Sequence, residues 1–262
     1  MVDFVAVGFD ALLNHAAKFT AFSGGDWQAA RGAGSLRGLV RRRWTARAGA
    51  LGHARRSSRP PGGGPLQPAD AAGLLLAAIE DDGPVIFMEP KLLTSALLDS
   101  LAGTRRSALD LPIPQAGRRG LVPDPPTAVR MGVARHCRNG ADLTLVSVGI
   151  GVHRCMAAAE ILGREGVQAG VLDLRSISPF DRAAVLAAGD QTGHLVVVDE
   201  DYLRGGLSGE IAALLLEHGV DVRFARVATE STIPYARHLE AQVLPDVARI
   251  EAAARRLLGL AA

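Results

Sequence analysis

The chain has 262 residues, 48% of them hydrophobic and 21% charged, with a formal net charge of +2, a composition that suits one large or two ordinary globular domains. No apolar run approaches the ~18 residues of a membrane span, and the start, MVDFVAVGFDALLNHAAKF, has an early Asp and none of the basic lead of a signal peptide. Cys137 and Cys155 show no ligand-like spacing, so no membrane partner is expected and a reduced, cytoplasmic compartment is.

In chain order, FDALLNHAAKF (9–19) predicts a helix with Leu12, Leu13, Ala16, Ala17 and Phe19 on its apolar face. The next stretch differs from everything around it. From Trp27 to Pro68 there are nine Arg and no Asp or Glu. Its centre, RRRWTARAGALGHARRSSRPPGGGP (41–65), has no apolar period. Outside this stretch 20 basic residues face 27 acidic ones, so the basic balance comes from one segment. PADAAGLLLAAIEDDGPVIFMEP (68–90) predicts a helix, a turn at Asp81–Gly83 and a buried strand. Residues 95–130 are rich in Pro and Arg and read as an interdomain linker.

Beyond residue 140 strands and helices alternate strictly. LTLVSVGI (143–150) is a continuous apolar strand ended by Gly. The helix VHRCMAAAEILGREG follows, with Met156, Ala159, Ile161 and Leu162 near helical spacing and Gly166 as its terminator. VQAGVLDL is the next strand. SPFDRAAVLAAGDQTG is the next helix, with Ser178 as candidate N-cap and Pro179 at its first position. The strand HLVVVDE, the helix GLSGEIAALLLEHG, the strand VRFARVA and the helix LPDVARIEAAARRLLGL complete the series. This order predicts an α/β fold with a parallel sheet and right-handed crossovers.

The local motifs are modest. SVGIGVHRCM puts Gly149 and Gly151 between a strand and a helix, and Asp173 ends the following strand, which imitates a dinucleotide fingerprint. The third glycine position is Arg154, so tight packing of the helix on its strand is the favoured reading. PPGGGP lacks both the donors and the Lys-Ser/Thr ending of a phosphate loop. The Arg run has Trp44 alone as a stacking platform, and no nucleic-acid partner is expected. The acidic clusters at 80–82 and 199–201 sit at element ends, where turn-capping is the ordinary role. The seven histidines are scattered, with no HxxxH or HExxH spacing.

Taken together, DFVAVGFDALLNHAAKFTAFSGG, PADAAGLLLAAIEDDGPVIFMEPKLL, GADLTLVSVGIGVHRCMAAAEILGREGVQAGVLDLRSISPFD, HLVVVDED and IPYARHLEAQVLP resemble the β subunit of the E1 component of 2-oxo acid dehydrogenase complexes. That is the transketolase-like, thiamine-diphosphate-dependent family of pyruvate, branched-chain and acetoin dehydrogenases. A deoxyxylulose-phosphate synthase fragment is a further reading, against which the NHAAK…SGG run speaks. The resemblance implies an incomplete pyrimidine-binding domain over 1–94, the linker 95–130, and a transketolase C-terminal-type domain with a mainly parallel sheet over 131–262.

It also implies partners and cofactors. They are an E1 α subunit that holds the diphosphate through Mg²⁺, a second β subunit in a heterotetramer, and a lipoyl-bearing E2. The implied activity is oxidative decarboxylation of a 2-oxo acid such as pyruvate with acyl transfer to E2. Phe4 matches the family's aromatic contact to the aminopyrimidine. Ala78, Ile79, Asp81 and Gly83 match a loop that supplies oxygens to K⁺, although Gly83 stands where the family has Asn and a plain helix-to-strand turn is the alternative. The family's catalytic Glu lies in a stretch before the equivalent of Met1 and has no counterpart here, so no catalytic residue is assigned and the chain is expected to be inactive by itself. The alternative function is a non-catalytic subunit or E2-interaction module that retains the C-terminal domain.

Between SGG and PADA the family has a strand, a glycine-rich loop, a His-Ser pair, a helix and a VVAP strand. Here stands the Arg-rich run, and codon degeneracy offers a reason. Residues 27–67 are expected to be without order or to be an out-of-frame translation between two compensating indels. On that reading His53 is not the family histidine. The coding DNA decides the matter. Shifted by one base, the codons of Pro60–Pro65 should read Arg-Pro-Val-Val-Ala-Pro, and codons that give anything else overturn the frameshift.

Overall fold

The computed structural model describes residues 62–63, 68–81, 85–88, 121–234 and 237–260. The expected helix at 9–19, and all of the Arg-rich run except Gly62 and Gly63, lie outside the described residues.

Five strands form the main sheet. They are β3 (Arg135–Arg138), β4 (Leu143–Ser147), β5 (Ala169–Asp173), β7 (His194–Tyr202) and β8 (Arg223–Thr229), in the spatial order β3-β5-β4-β7-β8. The last four are mutually parallel, and β3 joins antiparallel at one edge beside β5. The alternation of apolar runs and helices foretold the parallel part. The short, Arg- and His-containing β3 carries no such signal.

The side-chain alternation of the sheet sorts the core into two halves. On one face Leu143, Leu145, Val171, Val196 and Val198 pack under α2 (Ile150–Arg164) and α6 (Val247–Leu258). On the other, Val146, Leu172, Leu195 and Val197 pack under α3 (Arg182–Thr192) and α4 (Leu207–Glu217). Every residue of β4 and β5 is buried, which is why these strands read as continuous apolar runs rather than alternating ones. Each buried leucine among them contributes ~1.5–3 kcal/mol relative to exposure.

Helix ends follow their own chemistry. α2 stops where Gly166 takes φ +87°, as the glycine signal predicts. α3 differs from expectation: Ser178 lies in the short strand β6 (Ser176–Ser178) and does not cap the helix. Asp181 is the N-cap, accepting from the Ala184 amide at 2.9 Å through Oδ1, while its Oδ2 accepts from the Ala134 amide at 2.9 Å. The second bond ties the helix start to the chain entering β3, while Ser178 stands three residues earlier in β6. Asp246 caps α6 through the Arg249 amide at 2.8 Å. The short α5 (Arg237–Val243) precedes it.

The helix predicted after residue 67 is α1 (Pro68–Glu80), followed by β2 (Ile86–Phe87). Two features join this unit to the larger one. Gly62–Gly63 forms β1, parallel to β2 and antiparallel to β6, giving a small sheet β2-β1-β6. Two residues expected to be without order thus hold the central place of that sheet, because β2 on one side and β6 on the other satisfy their backbone groups. The end of the predicted linker is also held: the Val129 amide donates to the Gly73 carbonyl at 2.9 Å. Val129 and Met131 pack on Leu74, Ala78 and Phe87.

Gly73 makes that approach possible. A Cβ there would lie 2.5 Å from Val129 Cγ2 and 2.7 Å from the Thr127 carbonyl oxygen. Although Ala is the better helix former, Gly73→Ala should lower stability by ~1–3 kcal/mol through overpacking. Chemical denaturation of the two proteins measures this, and an unchanged or raised midpoint would contradict the packing described.

Candidate functional site

The sites suggested by resemblance fall unevenly. Phe4 and Gly83 lie outside the described residues. Ala78 and Ile79 occupy the last turn of α1, Ala78 buried and Ile79 exposed, and the Asp81 amide donates to the Ala77 carbonyl at 3.0 Å. The carbonyls of a final helical turn carry partial negative charge and point along the axis. The donor type therefore fits a monovalent cation, and it equally fits a helix ending in a turn toward β2. Among the described residues no group of three or more His, Cys, Asp or Glu is placed to hold a metal ion.

The carboxyl ends of β4 and β7 flank the point where the strand order reverses, the usual ligand crevice of an open α/β sheet. Here the two strand ends are joined by the protein's own contacts. Ser147 Oγ donates to the Val198 carbonyl at 2.7 Å, bridging the two strands. Gly151 sits against that hydroxyl, and a Cβ on it would lie 2.2 Å from Ser147 Oγ. The glycines of SVGIGV thus serve helix-on-strand packing. Arg154, at the third glycine position, pairs with Glu200 at 2.6 Å. In the 199–201 cluster, Asp199 Oδ1 accepts from the Asp201 amide at 2.9 Å and Asp201 accepts from the Tyr202 amide. These carboxylates shape the end of β7, and none of these contacts involves a nucleophile.

The densest charged site lies elsewhere, where α1 meets β3 and the end of β5. Asp70, in the first turn of α1, is almost wholly buried. Its Oδ2 accepts from Arg135 Nη1 at 2.9 Å, and its Oδ1 accepts from Arg175 Nη2 at 2.7 Å. One carboxylate therefore holds two guanidiniums that come from two different strand ends. Asp173 lies beside them, directly opposite Arg135 in the β3–β5 ladder. Its Oδ1 accepts from the Arg175 amide at 2.9 Å. Arg175 achieves this with φ +55°, a left-handed conformation that costs a side-chain-bearing residue about 1–2 kcal/mol.

Asp173 is fully buried, and neither its Oδ2 nor Arg175 Nε has a hydrogen-bond partner among the described residues. Burial raises its pKa to about 7, reinforced by the Asp70 charge and opposed by the Arg175 amide and the two guanidiniums. Burial and the Asp173 charge also push the nearby Cys137 thiol up to about 11, so it stays protonated and is not an activated nucleophile. Asp173 is closed off from solvent and turned to the Arg175 amide, which speaks against the dinucleotide reading of its place at the end of β5. Sequence reasoning missed this cluster because its partners stand 65 and 105 residues apart. The available signal was a charged Asp-Leu-Arg run at the end of an otherwise apolar strand.

The transketolase C-terminal domain family model matches residues 132–250. The β subunit of acetoin:2,6-dichlorophenolindophenol oxidoreductase from Cupriavidus necator is 32% identical over 98% of this chain and 71% of its own length. The subunit of the same name from Bacillus subtilis is 32% identical over 98% of this chain and 70% of its own. The mitochondrial pyruvate dehydrogenase E1 β subunit of Dictyostelium discoideum is 34% identical over 74% of this chain, and the match spans 50% of that subunit. A solved structure described as a split-gene transketolase, an inactive β4 tetramer, superposes with a TM-score of 0.62 at 23% identity, over 80% of this chain and 61% of that one.

The clamp gives a direct expectation. Asp70→Ala leaves two guanidiniums without their buried counter-charge, and should cost ~3–5 kcal/mol. Asp246→Ala removes only a helix cap and should cost ~1 kcal/mol. Equal losses for the two variants in denaturant titrations would show that Asp70 holds nothing beyond its own helix.

Proposed function

We propose that this chain, which belongs to the β-subunit family of the E1 components of 2-oxo acid dehydrogenases, takes the β place beside an E1 α subunit and a second β subunit in a heterotetramer, with a lipoyl-bearing E2 as the onward partner. The observation that carries this reading is the C-terminal sheet. Its central strands are buried under helices on both faces and residues 132–250 match the family model, which supports a domain of the kind the family uses for β–β contact and E2 docking. No helix among the described residues is long and apolar enough to cross a membrane. The free thiols of Cys137 and Cys155 suit the reducing cytoplasm in which we place the chain.

The cofactor we assign to the assembled enzyme is thiamine diphosphate, shared with the α subunit that holds its Mg²⁺. Bound there, it would supply the nucleophile and electron sink that decarboxylation of a 2-oxo acid requires. This chain's own contribution to that site is Phe4 as an aromatic wall on the pyrimidine side. The last-turn carbonyls of Ala78 and Ile79, with Asp81 and Gly83, are our assignment for K⁺.

We further propose that the chain, as its sequence stands, does not support turnover. Residues 27–67 replace an apolar strand–loop–helix stretch of the family with a polycation. With nine Arg, no acid and no apolar period, this sequence does not supply the residues from which that stretch of the family is built. What remains is the alternative role of a non-catalytic subunit that binds E2 through its C-terminal domain.

Reconstitution tests both parts. The chain, mixed with an E1 α subunit, Mg²⁺ and thiamine diphosphate, should give no decarboxylation of pyruvate or 2-oxoisovalerate above the α subunit alone. It should still co-purify with E2. Clear turnover would refute the inactivity, and failure to bind either α or E2 would refute the subunit role.

A further inference from the structure

The cluster of Asp70, Arg135, Arg175 and Asp173 has an uneven arrangement of partners. Asp70 is engaged at both oxygens, whereas Asp173, equally buried, is engaged at one. Arg175 touches both acids, through its guanidinium on Asp70 and its amide on Asp173. The cluster also has a mechanical position. Asp70 belongs to α1, whereas Arg135, Asp173 and Arg175 belong to the β3–β5 edge of the main sheet. Besides this pairing, the described links between α1 and the rest of the chain include the Val129–Gly73 bond and the small apolar cluster of Leu74, Ala78 and Phe87, with the two-residue strand β1 bridging nearby β2 to β6.

We propose that Asp173 is a proton-operated release on the joint between the helix–strand unit of residues 68–88 and the C-terminal domain. With its carboxyl neutral, both guanidiniums stay committed to Asp70 and α1 is held. With it ionised, Arg135 and Arg175 are shared between two carboxylates, and Oδ2 becomes a buried charge that draws in water or a guanidinium. Either event weakens the hold on Asp70.

The groups facing Asp173 support this. From α1 it meets the Asp70 charge, from β3 Arg135 and the Cys137 thiol, from its own strand end Arg175, and from α2 the buried Cys155. Burial outweighs the two cations and places its titration at about 7. An unfolded chain binds this proton only near the ordinary aspartate value of about 3.9. Between those values the folded state holds more protons than the unfolded one, so stability from this group falls as pH rises through the window and levels off above about 7. The inference concerns the joint alone and stands whether or not the chain serves in an E1.

Hydrogen–deuterium exchange on the full chain tests it, with labelling times scaled for the intrinsic pH dependence of exchange. From about pH 6 to about pH 8.5, peptides covering 68–80 and 86–88 should lose protection by about tenfold, corresponding to one pK unit of coupling, while β4 and β7 keep theirs. Asp173→Asn keeps the Oδ1 acceptor for the Arg175 amide and should hold α1 at its low-pH protection throughout. Glu165→Gln, which breaks an exposed pair with Arg255, should behave as the parent protein. Three results would overturn the proposal: an unchanged α1 in the parent, the same pH response in Asp173→Asn, or a loss spread evenly over β4 and β7. Should Asp173→Asn not fold, carboxyl ¹³C titration of the parent decides, since an Asp173 midpoint below about pH 5 leaves no proton to operate the joint.

Discussion

Burial of both faces of a parallel sheet is the constraint from which the rest of this structure follows. β4, β5 and β7 send alternate side chains into two separate apolar layers, so each face needs its own pair of helices. Backbone groups inside the sheet are satisfied by neighbouring strands, which leaves no room there for charge. Charged side chains are therefore displaced to strand ends and to the sheet edge. Asp173, Asp199 and Glu200 all stand where a strand leaves the apolar layers, and each is met by a backbone amide or a guanidinium.

The edge beside β3 is where this displacement acquires a second use. β3 is short, antiparallel and only partly covered. It carries Arg135 to the side on which α1 arrives with Asp70. A buried ionic group of this kind is weak evidence for net stability, because desolvation offsets much of the Coulombic gain. Its clearer consequence is geometric. Two guanidiniums from separate chain positions converge on one carboxylate, which fixes where α1 sits and how it is turned. The left-handed backbone at Arg175 serves the same end, directing its amide to Asp173 and its guanidinium to Asp70.

The chain's two parts differ along the same line. The domain matched by the transketolase C-terminal model has two buried apolar layers, and at its strand-order reversal Ser147 bridges β4 to β7 with Gly151 packed against it. The half to which the family resemblance assigns the cofactor contacts contains the Arg-rich run, with its nine Arg and no acid between Trp27 and Pro68.

What the sequence determined by itself is what short-range patterning controls. Apolar runs of four to eight residues, glycine stops and the alternation of helix with strand placed β4, β5, β7, β8 and their helices, because a doubly buried strand admits little else. Five short motifs in order carried the family. Position in three dimensions was decided only by the tertiary structure. β3, β6 and the Gly62–Gly63 strand have no periodicity of their own and exist because partners distant in the chain satisfy their backbones. Asp181 displaced Ser178 as a helix cap for the same reason, since it also binds the Ala134 amide. The joint at Asp70 is the extreme case. A charge 65 residues from one partner and 105 from the other leaves no trace in local spacing, because electrostatic pairing depends on separation through space and is blind to separation along the chain.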